Sequence, residues 1–265
     1  MKFNTRLSPT DERDSIYRND NAEIVREFVD LREWDSIVES QSQLGSCASN
    51  ALTNAYELSV IREYPKYFAH LSRLFIYYNT RAEYGDVLTD VGMFLRDGLK
   101  SLAKFGVCSE KLWPYDAEKF DDKPTEECYG DAEKRKILRY QRILSIHSIT
   151  RVLNSNKPVV FGIGIYESFM DLNERIPIVT FPSRREESLG GHAMCLVGYD
   201  LEKKLFLAKN SFGSDWGNKG YCWIPFDYIR QEAYDIWTFD IPNPPGDLNV
   251  LPETLPLLPS LLILQ

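Results

Sequence analysis

The hydrophobic pattern of the chain changes near Arg139, and this change limits the folds that the chain can adopt. Before it, apolar residues recur at helical spacing in residues 46–63, 71–85 and 93–106, and Gly106 is a good helix stop. We therefore predict a mainly helical first half.

The second half is different. Its apolar segments are short, rich in β-branched and aromatic residues, and separated by Gly, Asn and Asp turns. They read PVVFGIGIY, HAMCLVGYD, KLFLAKNSF and GYCWIPF. These segments predict strands, so the fold class is α+β, with a helical part over about 40–139 and a strand-rich part over about 140–243. No internal repeat is visible.

Both ends of the chain differ from this central region. Residues 1–28 are highly charged, and in SPTDE we expect Ser8 to cap a helix with Pro9 at its first position. Six of the 14 prolines lie between Pro242 and Gln265. Prolines this frequent prevent regular structure, so residues 244–265 are predicted to form a Pro/Leu-rich tail.

Charge and composition exclude several classes of function. The net charge is −8, from 31 basic and 39 acidic residues, which argues against nucleic acid as the main partner. No apolar run approaches the roughly 18 residues of a membrane helix, and the first twenty residues lack the core of a signal peptide. The five cysteines are an odd number and widely spaced. We therefore expect a cytoplasmic protein, or one exported by a non-classical route.

Three separate stretches of sequence could together build a thiol nucleophile. Cys47 stands where a helical pattern begins, and a helix start lowers the pKa of a thiol. Of the three histidines, only His192 follows two glycines and opens an apolar strand, whereas His70 and His147 lack such an approach. Asn210, in a third stretch, could accept a hydrogen bond from an imidazole and fix its tautomer.

Each stretch alone has a simpler explanation. A cysteine before a helix is usually a small core residue, a histidine after glycines is more often structural, and Asn-Ser-aromatic-Gly is usually a turn. Their ordered combination favours catalysis.

The same stretches carry a family resemblance. QSQLGSCASNAL, GGHAMCLVGYD and KNSFGSDWGNKGY resemble the three active-site blocks of papain-like cysteine peptidases. His192 and Asn210 follow Cys47 by 145 and 163 residues, near or slightly above the roughly 130–150 residues of that family. The resemblance extends from about Val29 to Asn243 and is closest to the compact bacterial type.

The resemblance implies a two-lobed fold, with a helical left lobe, a β-barrel-like right lobe and the active-site cleft between them. It implies Cys47 as nucleophile, His192 as general base and acid, and Asn210 as the group that orients His192. Gln41 would donate to the oxyanion together with the backbone N–H of Cys47.

It also implies the residues that contact substrate. Gly92, Met93 and Gly191 would bind the peptide, and Trp216 would line the leaving-group side. Phe212 would support the site. Met93, Phe94 and Gly191 would wall the pocket for the second residue before the cut, whose floor is left unassigned between Tyr234 and Trp237.

The chain departs from the family pattern at three positions. Leu44 replaces a half-cystine, so that family disulfide cannot form; Ala48 replaces an aromatic residue, and Phe212 replaces a tryptophan. Cys108 and Cys128 could pair or remain free thiols. Cys195 and Cys222 are expected to be buried thiols in strands.

The expected activity is hydrolysis of peptide bonds in proteins or peptides through a Cys47 thioester, as an endopeptidase, with no metal or cofactor. Two alternatives stay open: a thioester-based acyl transferase or peptide ligase, and an inactive papain-fold binding module. Residues 1–28 would either contact the cleft and restrain substrate entry or form a charged, disordered leader.

Overall fold

The computed structural model describes residues 2–18 and 25–243. Within them the longer helices follow in chain order as α1 Cys47–Glu63, α2 Arg73–Ala82, α3 Leu95–Phe105, α4 Glu126–Ala132, α5 Ile146–Asn154, α6 Glu167–Met170 and α7 Phe226–Glu232. The strands are β1 Phe28–Asp30, β2 Arg139–Arg142, β3 Val159–Tyr166, β4 Ser188–Asp200, β5 Leu205–Lys209, β6 Tyr221–Pro225 and β7 Ala233–Asp240.

The strands form one antiparallel sheet in the order β2-β7-β3-β4-β5-β6, and β1 pairs with β4. In the central pair, Ile163 of β3 faces His192 of β4. Because β4 has β1, β3 and β5 as partners, the strand that carries His192 is held firmly in the sheet.

Helix α1 crosses the core. Its residues from Cys47 to Val60 are all buried, and the helix packs against α2, α3 and β4. A helix that is buried on every side needs small and apolar residues around its whole circumference, as CASNALTNA provides. Pro65 follows two residues after its end.

The prediction of an α+β fold is confirmed, and the three helices and four strands predicted from periodicity are all present. The helix predicted from Ser8 is wrong. Residues 2–18 contain a turn and isolated bridges but no helix. Ser8 does not cap a helix, because its N–H and its hydroxyl both donate to the distant Asp235 carboxylate. The predicted tail over 244–265 lies outside the described residues.

No helix within residues 2–18 and 25–243 is long and apolar enough to cross a membrane.

Candidate active site

Cys47 is the first residue of α1 and is fully buried. The N–H groups of the first helical turn have no partner within the helix and carry partial positive charge. Burial raises the pKa of the thiol, and it outweighs the Thr5 hydroxyl, the backbone N–H of Ala193 in β4 and the helix N–H groups of Ala48 and Cys47, which all act to lower it. The thiol is therefore neutral in this arrangement.

His192 and Asn210 lie side by side at the start of β4 and just after β5. The His192 Nε2 and Asn210 Oδ1 atoms are 2.7 Å apart, and Asn210 Oδ1 also accepts from the backbone N–H of Ser211. This leaves Nδ1 as the other ring nitrogen, and it has no hydrogen-bond partner among the described residues. Burial lowers the pKa of His192 to about 4, so the ring is neutral.

Aromatic rings cover this pair. Phe212 lies 4.9 Å from the His192 ring, centroid to centroid, and Trp216 packs edge-on against Phe212 at 5.3 Å. Phe169 contacts all three rings. The cluster keeps water from the His192–Asn210 hydrogen bond, so phenylalanine performs the shielding that a tryptophan would provide.

Gln41 is held in place by both ends of its side-chain amide. Its Oε1 accepts from the Ser211 hydroxyl at 2.8 Å, and its Nε2 donates to the Leu44 carbonyl at 2.9 Å. An amide nitrogen carries two protons, so one N–H remains for another acceptor. The backbone of Gln41 also pairs with Ser211, which fixes the loop that leads to Cys47.

Glycines line a slot for an extended chain. A Cβ atom at Gly92 would lie 2.8 Å from the Asn4 carbonyl oxygen, and one at Gly191 would lie 1.9 Å from the Thr5 carbonyl oxygen. Only glycine allows a backbone to approach so closely. The slot is filled by residues 3–5 of the chain itself, and Asn4 forms a parallel bridge with Gly191.

The chain in this slot touches the candidate catalytic atoms directly. The Thr5 hydroxyl oxygen is 2.9 Å from Cys47 Sγ. Phe3 packs edge-on against the His192 ring at 5.7 Å, and the Tyr234 hydroxyl donates to the Thr5 carbonyl at 2.9 Å.

The residues predicted to bind substrate lie along the same slot. Met93 is buried and, with Gly92 and Phe94, borders a small cavity of about 80 Å³ that Asn4 and Arg6 also line. Within the stretch from Tyr234 to Trp237, Tyr234 faces the slot: its ring lies against Gly162 and its hydroxyl lies against Gly191. Their roles toward substrate stay predictions.

Asp90 ties the two loops on the helical side of the slot together. Its carboxylate accepts from the Gly45 N–H at 3.0 Å and from the Tyr77 hydroxyl. The Tyr77 hydroxyl in turn accepts from the Gly92 N–H at 3.2 Å. Leu44, where the family has a half-cystine, is buried in the core, and hydrogen bonds link these loops instead.

Several residues of the site could not be predicted from the sequence. Thr5 and Asp90 lie in stretches without a motif, and the role of Tyr115, which donates to the Gln41 carbonyl at 2.8 Å, was not predicted. Close backbone contact was indicated by the two glycines before His192 and, through the family resemblance, by Gly92. All five cysteines are free and buried. Within the described ranges, no three His, Cys, Asp or Glu side chains come together as a metal site would require.

Comparison with known proteins agrees with this geometry. The family model described as papain family cysteine protease matches residues 25–232. An uncharacterized peptidase C1-like protein of Acanthamoeba polyphaga mimivirus is 36% identical over 255 residues, covering 87% of this chain and 82% of the relative.

Solved structures show the same likeness. Xylellain, a cysteine protease from Xylella fastidiosa, is 34% identical with a TM-score of 0.82, covering 90% of this chain and 95% of that one. A procathepsin B of Trypanosoma congolense is 14% identical with a TM-score of 0.69, over 91% and 87% of the two chains, and shares the fold. The chain belongs to the papain family of cysteine proteases.

Proposed function

We propose that the chain is a latent endopeptidase whose thiol is Cys47 and whose own N-terminal residues restrain it. In the active form, the Cys47 thiolate attacks the scissile carbonyl carbon, and the oxyanion accepts hydrogen bonds from the free N–H of Gln41 and from the Cys47 backbone. His192 protonates the departing amine through Nδ1. It then takes a proton from the water that hydrolyses the thioester.

The observation that carries the proposal is the 2.9 Å contact between the Thr5 hydroxyl and Cys47 Sγ. A substrate carbonyl would need the space that Thr5 occupies. With the covering chain in place both reacting groups are buried, and this burial raises the thiol pKa and lowers the imidazole pKa. Because burial disfavours charge, the thiolate–imidazolium pair that attack requires is suppressed until the segment leaves.

The direction of the segment explains how it could resist cleavage. Phe3 lies beside Phe212, which packs on Trp216, while Ser8 lies at Asp235 beyond Tyr234. If Trp216 lines the leaving-group side, the segment runs opposite to a substrate. Its peptide bonds are then presented in reverse, and the side chain of Thr5, rather than a carbonyl carbon, faces the sulfur.

The same path supports endopeptidase activity. The chain enters beside the His192 cluster, passes the thiol and continues to Ser8, so the described cleft accommodates a chain on both sides of Cys47. Neither the family match nor the fold favours the transferase or the binding module.

The proposal is tested by nicking the folded full-length chain. Residues 19–24 are replaced by the recognition sequence of a site-specific protease, and hydrolysis of quenched peptides blocked at both ends is measured before and after cleavage. We expect at least about a tenfold rise in rate as the segment dissociates. Equal rates before and after nicking would contradict the restraint but not the peptidase.

The matched control is the same nicked chain with Cys47→Ala, which should lose at least about 1,000-fold in rate, as other enzymes do without their nucleophile. If the nicked Cys47 chain cleaves no peptide in a broad library, the peptidase itself is wrong. Mass spectrometry of products with an added amine separates hydrolysis from acyl transfer.

A further inference from the structure

Two arginines from opposite sides of the cleft meet on one carboxylate of the N-terminal segment. Arg96 belongs to α3 and Arg142 belongs to β2. A terminal guanidinium nitrogen of each lies 3.4 Å from Asp14 Oδ2. The Asp14 side chain is only 6% exposed and that of Arg96 only 7%. This position lies nine residues beyond Thr5, away from the thiol.

The backbone beside this carboxylate is paired as in a sheet. The Arg142 N–H donates to the Ser15 carbonyl at 2.7 Å, and the Tyr17 N–H donates to the Arg142 carbonyl at 2.8 Å. Within residues 2–18 and 25–243, β2 pairs with β7 on one side. Its other edge therefore takes an extended peptide, and without the segment its N–H and C=O groups would be free to pair with another one.

Without Asp14, the positive charges of Arg96 and Arg142 exceed the nearby negative charge of the rest of the described chain, residues 25–243, which we call the body. Asp235 lies 3.5 Å from Arg142 and is also held by Ser8. Asp97, next to Arg96 in sequence, pairs with Lys100. Among the described residues outside the segment, Arg142 has an ion pair with Asp235 and Arg96 has none, and the Nε of Arg96 is buried without a hydrogen-bond partner. A second carboxylate, delivered by a peptide, neutralises the cluster.

We propose that Arg96, Arg142 and the free edge of β2 form an exosite for an extended, acidic segment of a substrate protein. The chain's own residues 8–18 fill this exosite in the intact protein. The inference deepens the proposed function, since it names the class of substrate that the freed enzyme prefers. Recognition combines two charge-assisted contacts to one Asp or Glu with main-chain pairing around it.

A binding measurement on a chain without the Cys47 thiol can test the exosite independently of catalysis. The full chain carrying Cys47→Ala is nicked within residues 19–24, and its N-terminal segment bears a fluorescent label. A synthetic peptide of residues 8–18, SPTDERDSIYR, is added to displace the label, in parallel with the same peptide carrying Asp14→Asn. This peptide does not include Thr5, so displacement reports the exosite.

We expect the unmodified peptide to displace the segment at about tenfold lower concentration than the peptide with Asp14→Asn, as expected for a charge-assisted pair. The difference should become smaller in Arg142→Gln, which removes one of the two charge-assisted contacts to Asp14 and leaves that of Arg96. Arg139→Gln, on the same strand but paired with Asp240, is the matched control and should preserve it. Equal potency of the two peptides, or displacement by neither, overturns the exosite.

A catalytic arm tests the substrate class. The nicked enzyme with Cys47 intact is given quenched peptides with flanks long enough to reach from Thr5 to Asp14, containing either Asp or Asn. The Asp flanks should lower KM about tenfold with unchanged kcat, and Arg142→Gln, which leaves only the Arg96 contact, should reduce the gain. Equal KM values with rapid hydrolysis would reject the exosite while preserving the peptidase. Absence of all hydrolysis, with Asp-dependent displacement, would reject the peptidase alone.

Discussion

Two stretches near the N-terminus bind to the sheet through the same kinds of contact, but one is more deeply buried than the other. One contains β1 and Asp35, and the other is residues 2–18. Each adds backbone pairing to a strand, and each places a carboxylate on a buried cation of the body. We call the first stretch the permanent dock, and we call residues 2–18, which leave the cleft in the proposed function, the reversible dock.

The first stretch is fully integrated. β1 pairs with β4 over three residues. Asp35 lies 2.9 Å from the ammonium of Lys209, and both side chains are at most 1% exposed. The remaining carboxylate oxygen accepts from the Tyr221 hydroxyl at 2.9 Å, and Lys209 also donates to Ser36. A buried pair with all its groups satisfied is hard to separate.

The second stretch relies on isolated contacts. Asn4 and Ile16 form single-residue bridges, and the Asp14 ion pairs are 3.4 Å long. Lys2, more than half exposed, pairs with Asp90 at the surface. An exposed ion pair such as that of Lys2 contributes little, and single-residue bridges fix less backbone than a strand does, which fits the proposed release of this stretch.

The largest effect should follow from breaking the permanent dock. Lys209→Met leaves the Asp35 carboxylate buried without its cation, and should lower the free energy of unfolding by about 3–5 kcal/mol. Denaturant unfolding measures it. Lys203→Met removes an ammonium that is 68% exposed and paired with Asp200, and should cost less than about 1 kcal/mol. Similar losses in both variants would contradict the difference in depth.

The second prediction concerns the pair that the reversible dock covers. Asn210→Ala removes the acceptor of His192 Nε2 and leaves the ring free to take the wrong tautomer. We expect about a 100-fold lower kcat in the nicked enzyme, within the range for a misplaced acid–base group. Segment affinity, measured by fluorescence anisotropy, should stay unchanged. A loss of affinity equal to the loss of kcat would indicate general unfolding instead.

The sequence predicted the permanent parts of the molecule well. Helix α1 follows from its apolar spacing and from Pro65, β3 from its β-branched residues, and β4 from the short apolar run HAMCLVGYD. These elements have local patterns that match their burial. The meeting of Cys47 with the His192 strand came from motif order rather than from any local signal.

The reversible dock could not be predicted in the same way. Thr5 and Asp14 lie in a charged stretch without periodicity, and their partners are far along the chain. Ser8 and Pro9 match a helix start, yet the Ser8 side chain is bound to Asp235 and the Pro9 carbonyl accepts from Arg96, so the groups that a helix start would use are engaged elsewhere. Long-range contacts by short polar side chains leave no pattern in sequence, so the local rule for capping failed there.

The third prediction uses the pH dependence of Cys47 alkylation to measure how far the N-terminal segment shields the thiol. Burial raises the pKa of Cys47 in the intact chain, so alkylation by iodoacetamide should rise at a pH above that of a free thiol. After nicking and removal of the segment, water returns and the inflection should move below it. Each unit of this shift speeds labelling near neutral pH by about tenfold.

Mass mapping of the label keeps this measurement specific, since Cys108, Cys195 and Cys222 are also buried with raised pKa values. Their labelling should not change on nicking. If Cys47 is alkylated with the same pH profile in both forms, the segment does not control the thiol.

The smallest effect should come from one hydrogen bond of the reversible dock. In Ser8→Ala the Asp235 carboxylate keeps the backbone N–H at 2.7 Å but loses the hydroxyl. Asp235 is fully buried, so a charge-assisted bond disappears from a site that water reaches poorly. About 1–2 kcal/mol of docking energy should be lost, which is roughly fivefold to thirtyfold in the dissociation constant of the nicked segment.

Ser15→Ala is the matched control for Ser8→Ala, because Ser15 is exposed and contributes its backbone carbonyl, which alanine retains. Its segment should dissociate as in the unmodified chain. The free energy of unfolding of the body should be equal in the two variants, since neither serine belongs to the permanent dock. If the segment of Ser8→Ala instead dissociates as in the unmodified chain, the carboxylate of Asp235 does not select the Ser8 hydroxyl, and backbone pairing alone holds this part of the chain.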